Sequence, residues 1–293
     1  MMPENTTLFD NPIVMTVVVG FVIGLVGGIL GWFISLLGRL TPAAAFLASY
    51  YLAYGAVPDF PPLASTGKVF FSVVGLIALG LVFDYFVKSR AVSTICAAFV
   101  PTLLILWIGY VRLTNAFSAE FAVIAIIFLV VGTLVLLWMR SIDSAPVGAS
   151  RGPVASTSIL LAFAAGYAPI ALVGGSSTGF GLLAGFAAGL GGLGLVQYVL
   201  PSASLGWTGI LPGLGGLLAV NDSVTLINGK MDFLLLALLC TSVALGQLAG
   251  RLLLRLETKS LCLSQLIVGL STLFPSFIVI ALAYFRHVDA FHP

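Results

Sequence analysis

Pro275-Ser276-Phe277-Ile278-Val279-Ile280-Ala281-Leu282-Ala283-Tyr284-Phe285-Arg286, near the end of the chain, has an earlier counterpart in Pro101-Thr102 through Tyr110-Val111-Arg112. In both, a small hydroxyl residue follows the Pro, Tyr stands nine places after it and Arg eleven places after it. Each copy fills the exit half of an apolar segment and sets the Arg where that segment runs out. Read outward from this pair, the chain is a duplicated integral membrane protein.

Composition supports the membrane reading. Of 293 residues, 60% are hydrophobic and 8% charged, against about 25% charged in soluble domains. The net charge of +2 is small and scattered, which argues against a nucleic-acid partner. Cys96, Cys240 and Cys262 form no paired or CxxC pattern and read as small apolar fillers. Met1 to Asp10 is acidic and lacks a basic n-region, so it does not resemble a cleaved signal peptide.

A helix needs roughly 20 apolar residues to cross a bilayer, and only helices or closed barrels satisfy their backbone there. Ten such runs are expected, at about 13–38, 42–57, 69–87, 91–111, 119–139, 154–174, 178–199, 206–220, 233–254 and 264–285. The second and eighth are short and bounded by Gly and Pro, so a half-spanning, re-entrant form is the alternative for each. With the N-terminus outside, Arg39, Lys88, Arg90, Arg140, Arg151, Arg251, Arg255 and Lys259 face inward, and only Lys68, Arg112, Lys230 and Arg286 face outward. That bias places both termini on the outer side of a bacterial-type plasma membrane.

Further correspondences extend the duplication. Gly20-Phe21-x-x-Gly24-Leu25 matches Gly185-Phe186-x-x-Gly189-Leu190, Ala56-Val57-Pro58-Asp59 matches Ala219-Val220-Asn221-Asp222, and Gly67-Lys68 matches Gly229-Lys230. All occur in the same order at a near-constant offset. Segment 1 maps on 7, 3 on 9 and 4 on 10, an even step, so the copies run parallel through the bilayer. The expected fold is therefore all-α and polytopic. Residues 1–117 and 175–293 form two four-helix repeats, and 118–174, with the polar stretch Arg140 to Arg151, forms a connecting helix pair.

Candidate functional residues follow from this frame. Gly20, Gly24 and Gly28, and Gly181, Gly185 and Gly189, lie four apart and share a helix face, as close helix packing needs. The two stripes are expected to meet each other or equivalent partners. Pro101 and Pro275 kink their helices; with Thr102, Ser276 and Gln247 they are the candidate lining of a mid-membrane substrate path. Asp84 is the acidic residue expected inside a span. Lys88 one turn on is the plain partner, while pseudo-symmetry offers Arg251 and makes Asp84 the place for any proton coupling. The loops Asp59 to Lys68 and Asp222 to Lys230 each open on an acid and close on Gly-Lys, as an outer rim or as solvated caps.

His287 and His292 both lie in the terminal tail, leaving no buried imidazole for haem, metal or proton relay. HExxH, GxSxG and Walker A patterns are absent. No cofactor and no metal are expected, and no enzyme, with a lipid-modifying enzyme of sparse polar site as a third reading. The leading expectation is a permease for a small neutral, amphipathic or lipid-like solute, working by rocking of the two repeats. The alternative is a non-catalytic scaffold subunit with membrane-protein partners or copies of itself. Ten helices in two repeats resemble the drug/metabolite transporters in outline. That family's repeats are inverted and its motifs do not occur here, so no residue role is carried over.

Overall fold

The computed structural model describes residues 11–115, 119–143, 153–173, 175–200, 204–228 and 261–286, together with isolated positions between 238 and 252. Its regular elements are all helical: α1 (Pro12–Phe33), α2 (Ser35–Tyr54), α3 (Ser65–Tyr85), α4 (Arg90–Ala98), α5 (Val100–Ile108), α6 (Tyr110–Asn115), α7 (Ala119–Asp143), α8 (Pro153–Val173), α9 (Ser177–Val199), α10 (Gly206–Asn228) and α11 (Leu261–Arg286). By length and composition, six helical stretches among the described residues can cross a membrane: Pro12–Phe33, Ser65–Tyr85, Arg90–Ile108, Phe121–Asp143, Val154–Val173 and Ser177–Val199. The protein is a multi-pass membrane protein.

The distribution of side chains on α1 shows the solvent it is built for. Asn11 caps it, its Oδ1 accepting from the Ile13 amide at 2.9 Å, with Pro12 at the first helical position. Thr16, Gly20, Gly24, Gly28 and Gly31 are buried, while Val18, Val22, Val26, Ile29, Trp32 and Phe33 are exposed. Small residues inside and large apolar residues outside is the pattern of a helix whose surroundings are lipid. A single extended residue, Ile34, separates α1 from α2. The hairpin closes because a Cβ on Gly31 would stand 2.4 Å from the Gly38 Cα.

Neighbouring residues fix the helix directions. Gly20 lies beside Gly185 and Gly24 beside Gly189, so α1 and α9 run parallel. Gly213 faces Pro42 and Gly216 faces Phe46, so α2 and α10 also run parallel. Gly80 meets Thr208 while Gly215 meets Leu76, which makes α3 antiparallel to α10. Ser276 bonds the Ala162 carbonyl and Gly269 lies near Ser158, which makes α11 parallel to α8.

At the centre stands α10, in which every residue from Gly206 to Asp222 is buried. It packs on α3, α2, α5, α7 and α8. α8 packs on α9 and α11 and is mostly buried.

Several boundaries differ from expectation. The two short segments are full-length helices, at Ser35–Tyr54 and Gly206–Asn228. At 1.5 Å per residue they measure about 30 and 35 Å, but neither is among the six stretches apolar enough to cross a membrane. The expected loop starting at Asp222 is helix up to Asn228, and Gly67-Lys68 sits in the first turn of α3. The matched prolines also behave differently. Pro101 restarts a helix after the break at Phe99, whereas Pro275 lies inside the unbroken α11. Finally, α2 packs along α9, but α10 makes no comparable contact with α1, so the two hairpins are not related by a simple two-fold exchange.

Candidate functional site

At one end of the bundle the first turn of α10 is held by two buried carboxylates. Asp143, the last residue of α7, accepts from the Leu205 amide at 3.0 Å through Oδ1 and from the Gly206 amide at 2.9 Å through Oδ2. Asp84 of α3 accepts from the Trp207 amide and the Thr208 amide, each at 3.0 Å, and from the Thr208 hydroxyl at 2.8 Å. The orphan amides of a helix start are thus satisfied by side chains from two other helices, and both negative charges stand at the positive end of the helix dipole. Arg39 of α2 lies 3.5 Å from Asp84, and Arg140 lies 3.4 Å from Asp143 and over the Trp207 ring. Trp207 Nε1 donates to Ser93 Oγ at 3.3 Å. Gly206 has φ +62, and an added Cβ would stand 2.4 Å from Asp84 Oδ2, so only glycine serves there.

This arrangement ties α2, α3, α4, α7 and α10 into one plug. Among the described residues, the cation at Asp84 is Arg39, not Lys88. Arg251 and Gln247 lie outside the described residues. A carboxylate with an Arg and three hydrogen-bond donors is well satisfied, which suits a fixed clamp better than a proton carrier.

The opposite end carries a small polar pocket of about 140 Å³. Tyr54 of α2, Ser65 and Thr66 of α3, Ser176 capping α9, Thr178 of α9, and Ser223 of α10 bring hydroxyls to it; Val69, Leu182 and Val220 form its apolar lining. Tyr50 braces the wall by donating to the Thr66 carbonyl at 3.0 Å, and Ser223 and Ser65 hydroxyls stand 3.4 Å apart. Asp222, next to Ser223, is 2% exposed, and its Oδ1 has no hydrogen-bond partner among the described residues. Tyr167 of α8 is within electrostatic range of it. An ionisable group buried in a membrane bundle is costly and marks a functional candidate.

The candidate path of paired prolines is not assembled. Pro101 is buried against Gly132 of α7, where an added Cβ would be 3.3 Å from it. Pro275 and Ser276 are buried elsewhere, with Ser276 Oγ donating to the Ala162 carbonyl at 2.6 Å. The helix with Pro101 packs on α7, α10 and α3; the helix with Pro275 packs on α8 and α9. The two prolines therefore lie on helices with different packing partners. Each proline is instead accommodated by its own neighbours: Gly132 for Pro101, α8 for Pro275.

The glycine stripes do lie face to face. A Cβ on Gly20 would come within 2.1 Å of the Gly185 carbonyl oxygen, and one on Gly24 within 1.9 Å of the Gly189 oxygen. Gly28 packs on Val196, and Gly181 lies near Ile13. These contacts bring two backbones together without leaving room for a solute.

Arg39, Asp143 and Trp207 were not singled out as site residues from the sequence, and Asp222 was read as the acid that opens an outer loop. Asp143 stood in what looked like a polar linker, and Asn221-Asp222-Ser223 has the composition of a turn. One signal was present: a carboxylate ending a long apolar helix, three residues after an Arg. No protein-family model matches this chain, and no curated protein matches it in sequence.

Proposed function

We propose that the protein is a permease for a small, uncharged, hydroxyl-bearing solute, admitted at the Tyr54–Ser223 pocket and held back by the Asp84/Asp143 plug. The observation that carries this reading is the pairing of an open hydroxyl-lined pocket at one end with a charge-clamped helix start at the other. Both are built on α10, which runs through the middle of the bundle and contains Pro212 and several glycines. Asp222, rather than Asp84, is the candidate for proton coupling, because its carboxylate is buried with an unpartnered oxygen. Passage would require the plug to part, with α10 moving against α2 and α3.

The same reading assigns the ends of the molecule. Arg39, Lys88, Arg90 and Arg140 gather at the plug end, which by charge bias is the cytoplasmic side of a bacterial-type plasma membrane. A ten-span count with both termini outside fits this. α10 and α11 point the same way, and the apolar run 233–254 lies largely outside the described residues. Head-to-tail duplication is kept for the hairpins α1–α2 and α9–α10, on the strength of their parallel directions.

The test is uptake of a panel of polyols, sugars and neutral amino acids into liposomes holding the purified chain. Flux of a hydroxylated solute that Thr178→Leu and Ser223→Leu both abolish, with the fold intact, is the expected result. A folded wild type with no flux for any solute removes the reading. The second reading, a scaffold subunit, is favoured by the separation of the two prolines; stoichiometric membrane-protein partners co-purifying with an inactive chain would select it.

A further inference from the structure

A second feature shares no lining residue with the polar pocket. Phe71, Ser72, Gly75, Leu76 and Leu79 of α3 and Val100, Leu103, Leu104 and Trp107 of α5 line an open apolar groove of about 330 Å³. Gly75 forms its floor, since an added Cβ there would meet nothing within 4 Å. Lys68 stands one turn before the lining residue Ser72 on α3 and bonds the lining residue Trp107. It is 8% exposed, its Nζ donates to the Trp107 carbonyl at 3.0 Å, and it lies 5.7 Å from the Trp107 ring centroid.

Among the described residues, no carboxylate pairs with Lys68. A buried ammonium with one carbonyl and a ring face is short of compensation, because such charges are ordinarily paired. One N–H goes to the carbonyl, which leaves donors for an anion. From Lys68 to Leu79 the helix rises about 16 Å, close to the roughly 15 Å hydrocarbon depth of a single leaflet. A cation at headgroup level, with an open apolar channel of leaflet depth below it, has the chemistry of a lipid rather than of a soluble anion.

We propose that the groove between α3 and α5 binds one anionic phospholipid, its phosphate against Lys68 Nζ and one acyl chain lying over Gly75. Trp107 serves twice: its carbonyl orients the ammonium and its ring closes the groove at the interface, where indoles concentrate. This site is independent of the transport reading and stands whether the protein moves a solute or holds partners together.

Native mass spectrometry of the full chain, with phosphatidylglycerol or phosphatidylcholine of identical acyl chains added, tests it. One phosphatidylglycerol is expected to be retained about tenfold more strongly than phosphatidylcholine, as one charge-assisted hydrogen bond provides. Lys68→Gln should abolish that preference and Lys68→Arg keep it. Gly75→Leu, which fills open space without touching packing, should weaken retention of both lipids, and Lys88→Gln at the far end should change nothing. If Lys68→Gln fails to fold, the Gly75→Leu and lipid-headgroup comparisons still decide. Equal retention of the two lipids by the wild type, an unaltered Gly75→Leu, or displacement of phosphatidylglycerol by excess inorganic phosphate would overturn the proposal, the last by pointing to an anion site without a chain groove.

Discussion

Replacing Asp143 by Ala should loosen the start of α10. The carboxylate has side-chain exposure of 0% and accepts two buried backbone amides, from Leu205 and Gly206, besides standing 3.4 Å from Arg140. Alanine leaves both amides without partners, at about 1–3 kcal/mol each. Arg140, with side-chain exposure of 24%, can turn to solvent and keep its place over Trp207, so its loss adds little. The sum is about 2–6 kcal/mol, which brackets the roughly 3–5 kcal/mol found when one member of a buried pair is removed. At roughly 2–4 °C per kcal/mol for a chain of this size, the apparent unfolding midpoint in detergent should fall by on the order of 10 °C. Asn at the same position keeps one acceptor and should lose about half as much. The assay is fluorescence-detected size exclusion after heating, scored as the remaining monodisperse peak. An Asp143→Ala midpoint within about 2 °C of wild type would refute the view that this carboxylate holds the helix start.

Other perturbations separate packing from open surface. Gly24→Ala puts a Cβ 1.9 Å from the Gly189 oxygen, so α1 and α9 must move apart at a cost of about 1–3 kcal/mol, read as a lower unfolding midpoint. Gly75→Ala meets nothing and should be neutral or raise stability by up to about 1 kcal/mol in the same assay. Ser276→Ala removes the bond to the Ala162 carbonyl and should cost about 1 kcal/mol without altering any flux, because that helix is not part of the pocket. Asp222→Asn should leave the fold standing and flatten the pH dependence of solute uptake; an unchanged pH profile would exclude Asp222 as the titrating group.

How much of this was legible in the sequence depended on whether the cause was local. The four-residue spacing of Gly20, Gly24 and Gly28 marks a bare helix face whatever its neighbour, and the same holds for Gly181, Gly185 and Gly189. Which backbone fills each face depends on residues some 165 positions away. Asn221-Asp222-Ser223 went the other way: its turn propensity is real but weak, and burial against α8 and α3 keeps it helical. The matched Pro101 and Pro275 share a pattern but not a role, since a proline's effect on its helix depends on what packs on the freed turn. Asp84 was found because it stands inside an apolar run; Asp143 was hidden because its burial comes from a different helix folding over it.

By itself, the sequence determined that the chain is helical and lives in a bilayer, because those properties follow from apolar length and from the need to satisfy every backbone group within the segment. Only the tertiary structure decided that α10 is the buried centre, that Asp84 and Asp143 meet at its start, and that the two prolines lie apart. Those outcomes turn on contacts between residues distant in the chain, where close approach at glycine and the pairing of buried charge select one packing among many with the same hydrophobic pattern.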